Sequence, residues 1–153
     1  MTKQKKKIMV IDDDTATLEL TADRLRRAGF EVSTRSHAIG TSSAVMTQLP
    51  EIILLDIAMP GLSGPQLVSI LNRHPSTAKI PVIFHSGKSL VELQQMAQEA
   101  QVFGVIPKTD KEEIFLGHLS RLLKRQESGS GEAQKEEETI PWPKPPKDDA
   151  PES

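Results

Sequence analysis

From residue 7 to residue 125, short apolar runs alternate with stretches of helical periodicity, and no other feature narrows the possible folds as much. Ile8–Ile11 is continuous and rich in β-branched residues, which predicts a strand buried on both faces. Leu18, Ala22 and Leu25 recur at i, i+4 and i+7, the stripe of an amphipathic helix, and Ala28-Gly29 ends it. FEVST (30–34) predicts a short alternating strand, and residues 39–49 a weaker helix. EIILLD (51–56) is the second strongly buried strand, followed by the turn-rich MPGLSG (59–64). Leu67, Ile70 and Leu71 mark a third helix, and IPVIFHS (80–86) a strand. Leu90, Leu93 and Ala97 define a fourth helix, and FGVIP (103–107) a last strand before a helix carried by Phe115, Leu119 and Leu122. Capping boxes are expected at Ser89 with Glu92 and at Thr109 with Glu112. Five strands alternating with five helices predict an α/β fold, a doubly wound parallel sheet covered on both faces.

The rest of the chain is bounded by composition. The formal charge of −2 conceals a shift: residues 1–125 carry a net +3, whereas residues 126–153 carry −5 and five of the eleven prolines. The division expected is therefore a basic extension at 1–6, a folded domain at 7–125, and an acidic, proline-rich tail at 126–153 with too little apolar material to fold. The absence of cysteine excludes disulfides and thiol chemistry. The apolar run after the N-terminal lysines is too short for a signal core or a membrane span, so a cytoplasmic protein without membrane insertion is expected.

In a doubly wound sheet, ligands bind outside the carboxyl ends of the strands. Strand one ends at Asp12-Asp13-Asp14, strand three at Asp56, strand four at Ser86 and strand five at Pro107-Lys108. Carboxylates crowded at one edge repel each other unless a hard cation joins them, and Mg2+ suits few carboxylates, retained waters and phosphate oxygens. An aspartate beside such an ion can act as a nucleophile that holds a phosphoryl group, with a lysine and a hydroxyl pairing the remaining oxygens. Asp14, which precedes the helical stripe, is expected to cap the first helix.

Four pieces in order, VIDDD (10–14), ILLDIAMPGLSG (53–64), PVIFHSG (81–87) and GVIPK (104–108), closely resemble a response-regulator receiver domain of two-component signalling. That resemblance covers about residues 7–125. It implies a flavodoxin-like (βα)5 sandwich with a five-stranded parallel sheet of order 2-1-3-4-5. It implies Asp56 as phosphoacceptor, Mg2+ held by Asp12, Asp13, Asp56 and the backbone carbonyl of Ala58, Ser86 as the switch hydroxyl, and Lys108 as the residue that pairs with the phosphoryl group. The partners implied are a histidine kinase or phosphotransfer protein and a downstream protein bound through the face of helix four, strand five and helix five. A monomer or weak homodimer is expected. No DNA-binding or enzymatic output domain fits in the tail, so the expectation is a stand-alone regulator that binds no nucleic acid and turns over no substrate beyond its own phosphorylation and dephosphorylation.

Two positions depart from the family. The aromatic switch residue that many receivers carry on strand five is matched by Val105, so a coupled aromatic flip is absent there. The proline that usually follows the lysine, with a cis peptide bond, is matched by Thr109. A cis bond without proline costs about 2.5–4 kcal/mol, so either a trans or a strained bond is expected.

Other readings are weaker. SGKS (86–89) lacks the glycine a phosphate-binding loop needs five positions before Gly87, where Val82 stands. The four histidines have no zinc spacing, and His85 reads as a satisfied histidine packed on the sheet. Pro143 to Pro146 forms a PxxP that favours polyproline II, more often a solubilising segment than a ligand. A phosphatase of the haloacid-dehalogenase type would share the strand-end aspartate, magnesium and lysine, but DDDTA (12–16) has Ala16 where its signature needs threonine. A receiver kept as a phosphorylation-independent interaction scaffold is the remaining alternative.

Overall fold

A computed structural model describes residues 5–57, 59–61, 63–109 and 111–127. Residues up to Phe115 form one compact unit, and Leu116 begins a second, described as far as Glu127. The order of elements is β1 (Lys7–Ile11), α1 (Thr15–Arg27), β2 (Glu31–Arg35), α2 (Thr41–Gln48), β3 (Ile52–Leu55), α3 (Gly64–Asn72), α4 (Pro75–Ala78), β4 (Val82–Ser86), α5 (Leu90–Ala100), β5 (Gly104–Pro107) and α6 (Glu112–Glu127).

The five strands make one parallel sheet of order β2-β1-β3-β4-β5, the order expected. Residues Ile8–Ile11 of β1, all of β3 and all of β4 are buried, which explains why these segments read as continuous apolar runs rather than alternating ones. Each isoleucine or leucine removed from water in this layer contributes about 1.5–3 kcal/mol. Helix α1 packs on β1 and β2, while α2, α3 and α5 pack among themselves, as right-handed crossovers running in both directions from β1 require. The chain order reverses between β1 and β3, so a crevice opens beyond the carboxyl ends of those two strands.

Local chemistry sets the helix ends. Asp14 is the N-cap of α1, accepting from the N–H groups of Ala16 and Thr17, and its Oδ2 accepts from the Thr17 hydroxyl at 2.9 Å. The Thr17 bonds hold the Asp14 carboxyl below its ordinary pKa. Asp14→Ala is expected to lower the thermal midpoint, whereas Asp14→Asn keeps it near wild type because asparagine caps equally well. At the other end of α1, Gly29 takes φ +102° while its N–H and that of Phe30 donate to Arg26 and Leu25, closing the helix at the expected place.

Two local expectations need correction, and one box was not foreseen. The full reciprocal capping box lies at Ser63 and Gln66, at the start of α3. At α5, Ser89 accepts from the Glu92 N–H, as expected of its side of a box. Thr109 accepts from the Lys111 N–H, not from that of Glu112, because the helix begins later than the box would require. The structure also contains a sixth helix, the single turn α4, led by Pro75 and tied down by the buried Thr77 hydroxyl, which donates to the Leu71 carbonyl at 2.7 Å. The fourth and fifth helices expected from the sequence are therefore α5 and α6. Helix α6 continues through Glu127, and the tail that follows, with Trp142 and the PxxP, lies outside the described residues.

Among the described residues, no helix is long and apolar enough to cross a membrane.

Candidate functional site

The strand ladders carry their side chains to the crevice by running one residue past the strands. The Asp12 N–H donates to Arg35 O at 3.0 Å, the Asp56 N–H to Ile11 O at 2.9 Å, and the Lys108 N–H to Ser86 O at 2.8 Å. Asp12 and Asp56 thus stand side by side at the point where strand order reverses, and both are buried. Asp13 is exposed beside them, and carboxylate oxygens of the three residues lie within 4.8 Å of one another.

Lys108 reaches this group from the end of β5. Its Nζ is 2.8 Å from Asp12 Oδ2 and 3.5 Å from Asp56 Oδ2. Burial opposes the ammonium, but the hydrogen bond it donates to Asp12 and the fields of Asp56 and Asp12 outweigh it and hold the Lys108 pKa above its ordinary value. The other Asp12 oxygen, Oδ1, accepts from the Asp14 N–H at 3.0 Å, so this buried carboxylate is partnered on both sides. Ser86 is buried at the end of β4, opposite Pro107, and its Oγ accepts from the Lys88 N–H at 3.3 Å.

The donor set suits magnesium: three hard carboxylates at one point, two of them on neighbouring strands, with a mouth open on the Asp13 side. Asp12, Asp13, Asp56 and Lys108 come together as the sequence predicts, and Ser86 sits on the adjoining strand end. Ala58, whose carbonyl the resemblance assigns to the metal, lies outside the described residues.

His85 is a satisfied core histidine, as expected. It is 4% exposed, its Nδ1 lies 2.8 Å from Ile106 O, and its ring centroid is 5.3 Å from that of Phe115. A carbonyl only accepts, so Nδ1 carries the proton of the neutral ring. Burial pushes the His85 pKa down to about 4, the Ile106 bond opposing and the Lys108 charge assisting. The unfolded histidine, with a pKa near 6.5, then binds a proton over a range where the folded one does not, so folding stability is lost as pH falls from about 6.5 to about 4. The loss reaches roughly 3 kcal/mol at pH 4. Urea unfolding of wild type and His85→Val across that range checks it, since the variant is expected to lack this share of the pH dependence.

One feature escaped sequence reasoning. Arg24, on α1, is 5% exposed, and its Nη1 donates to the Thr109 carbonyl at 2.9 Å while its guanidinium lies 5.8 Å from the Phe115 ring centre. The signal was the i+3 spacing from the buried Thr21, but an arginine in the last turn of a helix reads as a dipole partner in solvent. The Lys108–Thr109 bond takes the trans alternative expected from the sequence, since no peptide bond among the described residues is cis.

The model of the family described as "Response regulator receiver domain" matches residues 8–120. The chain belongs to the response-regulator receiver family. Among curated relatives, the phosphate regulon transcriptional regulatory protein PhoB of Pseudomonas aeruginosa is 28% identical over 128 residues, which cover 84% of this chain and 56% of that protein. The response regulator PleD of Caulobacter vibrioides is 36% identical over 77 residues, 50% of this chain and 17% of PleD. The receiver thus spans about half the length of PhoB and a small part of PleD. Among solved structures, a response regulator from Desulfuromonas acetoxidans superposes with a TM-score of 0.69 at 26% identity, covering 78% of this chain and 97% of that one. The chemotaxis protein CheY4 of Vibrio cholerae superposes with a TM-score of 0.71 at 20% identity over 78% of this chain and 99% of its own, a likeness of fold. Receivers serve phosphorylation-based two-component signalling, and membership replaces the phosphatase reading of DDDTA.

Proposed function

We propose that this receiver accepts a phosphoryl group on Asp56 from a histidine kinase or phosphotransfer protein and signals through phosphorylation-dependent protein contacts. The observation that carries the reading is the Lys108 ammonium, 2.8 Å from Asp12 and 3.5 Å from Asp56, facing carboxylates that converge from β1 and β3. An Asp56 carboxylate oxygen attacks phosphorus in line; the bond from phosphorus to the donor's imidazole nitrogen breaks, and the imidazole keeps the electron pair. Asp12, Asp13 and Asp56, with the Ala58 carbonyl that the resemblance assigns, would hold magnesium, which would neutralise charge on the phosphoryl oxygens. Lys108 leaves Asp12 or shares it to pair with one phosphoryl oxygen, and the Ser86 hydroxyl donates to another.

Transfer from phosphohistidine to a carboxylate makes the domain a substrate and its own catalyst, with no turnover of an external compound. The face of α5, β5 and α6 is the surface that the resemblance gives to a downstream protein. A monomer or weak homodimer fits this role.

One observation favours the scaffold as a second reading. Val105 occupies the switch position on β5 and is fully buried beside Phe84 on β4, leaving no aromatic there to move outward or inward. Partner capture by wild type and Asp56→Asn separates the two: equal capture favours the scaffold, and capture only after phosphorylation the switch.

A further inference from the structure

A guanidinium buried this deeply demands an explanation. Among the described residues Arg24 pairs with no carboxylate, and its Nε has no hydrogen-bond partner. Among the described residues its side chain donates to the carbonyl of Thr109, the residue directly after Lys108, and the Phe115 ring supplies a cation–π contact. Burying a charge with so few partners is unfavourable in a core where leucine or methionine would pack well.

The backbone around Lys108 shows what the arginine does. Three groups pin it in sequence: His85 Nδ1 holds Ile106 O at 2.8 Å, Ser86 O accepts from Lys108 N at 2.8 Å, and Arg24 Nη1 holds Thr109 O at 2.9 Å. The first two lie on the β4 side, before the Lys108 side chain; after it, Arg24 holds the Thr109 carbonyl from α1, while the Thr109 hydroxyl oxygen takes the local Lys111 N–H. This is also where the family usually has a proline, whose ring restricts the backbone covalently; here the bond is trans and the residue is threonine. Without a restraint after Lys108, the ammonium loses its fixed approach to Asp12 and Asp56.

We propose that Arg24 is a positioning residue for Lys108, fixing the Lys108–Thr109 peptide from α1 and replacing the constraint that proline gives elsewhere. The proposal rests on the phosphoryl-transfer reading above for its functional consequence. It acts through Lys108, so its effect must vanish when Lys108 is gone.

The test is a double-mutant cycle of wild type, Arg24→Met, Lys108→Ala and the double variant, each incubated with Mg2+ and acetyl phosphate and followed by intact mass. Displacing a reacting group by about an ångström slows a reaction by up to roughly 100-fold. Arg24→Met is therefore expected to slow phosphoryl uptake about 10- to 100-fold in wild type and to change nothing in the Lys108→Ala background. A wild-type rate in Arg24→Met, or the same fold-loss in both backgrounds, would overturn the proposal. If Arg24→Met does not fold, Arg24→Lys, which keeps the charge and stem, takes its place in the cycle. Urea midpoints of the same four proteins in EDTA provide a readout independent of transfer, and the Arg24 substitution is expected to cost less stability once Lys108 is absent; strict additivity there would contradict it. No uptake by wild type would instead overturn the phosphoryl-transfer reading and leave the EDTA cycle to decide on Arg24.

Discussion

Asp12→Asn is expected to weaken Mg2+ binding at least 100-fold and to slow phosphoryl uptake on Asp56 by a similar factor. Asp12 is buried and stands next to Asp56 at the ends of β1 and β3, so the amide takes one negative charge out of the centre of the three-carboxylate group. Even partners that merely orient a metal ligand are worth 10–100-fold in affinity, and a carboxylate that itself ligates is worth no less. The substitution has a second consequence. It removes the charge that Lys108 faces at 2.8 Å, so the ammonium is left to Asp56 at 3.5 Å. Calorimetric titration with MgCl2 checks the first effect, and intact mass under acetyl phosphate the second. Retention of wild-type affinity would mean that Asp12 serves only as a partner for Lys108. Asp13→Asn, at the exposed side of the same group, is expected to have a smaller effect on folding and a comparable one on the metal.

The second large effect concerns stability. Lys108→Met is expected to destabilise the metal-free protein by about 3 kcal/mol, the lower end of the cost of breaking a buried ion pair. The lower end applies because 24% of the Lys108 side chain meets solvent, whereas Asp12 shows 2%. The raised Lys108 pKa fixes the pH range of this contribution: it is present below the ordinary lysine value and is lost only as pH rises through the higher folded one. Mg2+ should stabilise the variant more than it stabilises wild type, since the three carboxylates then lack their ammonium and a ligand that binds the native state stabilises in proportion to its occupancy. Urea unfolding at neutral pH with EDTA or with Mg2+ measures both effects. Equal Mg2+ stabilisation of the two proteins would show that lysine and metal do not share the carboxylates.

Most of the fold and the core of the site were legible because parallel strands buried on both faces leave long apolar runs, and because ladder hydrogen bonds carry the next residue of each run to one edge. Asp12, Asp56 and Lys108 were placed by that rule, and Asp14 by capping chemistry. What was not legible had local causes. Helix α4 is four residues long, too short for periodicity to register, and only Pro75 at its start announced it. Ser63-Gly64-Pro65-Gln66 carried a capping-box spacing inside a segment whose glycines and proline read as turn. Gly64 also sits where an added Cβ would lie 2.9 Å from Ile57 and 3.0 Å from Phe84, so a glycine that looked like loop punctuation lets α3 approach the sheet. Arg24 was hidden because its partner is a backbone carbonyl 85 residues away, and carbonyls leave no trace in sequence.

The central claim, that Asp56 accepts a phosphoryl group with the help of magnesium, is tested most directly by intact mass after incubation with Mg2+ and acetyl phosphate. A gain of one phosphoryl group is expected in wild type, none in Asp56→Asn, and none in wild type when EDTA removes the metal. A folded wild-type protein that takes up nothing under conditions in which another receiver is phosphorylated, or an Asp56→Asn variant that gains the same mass, would contradict it.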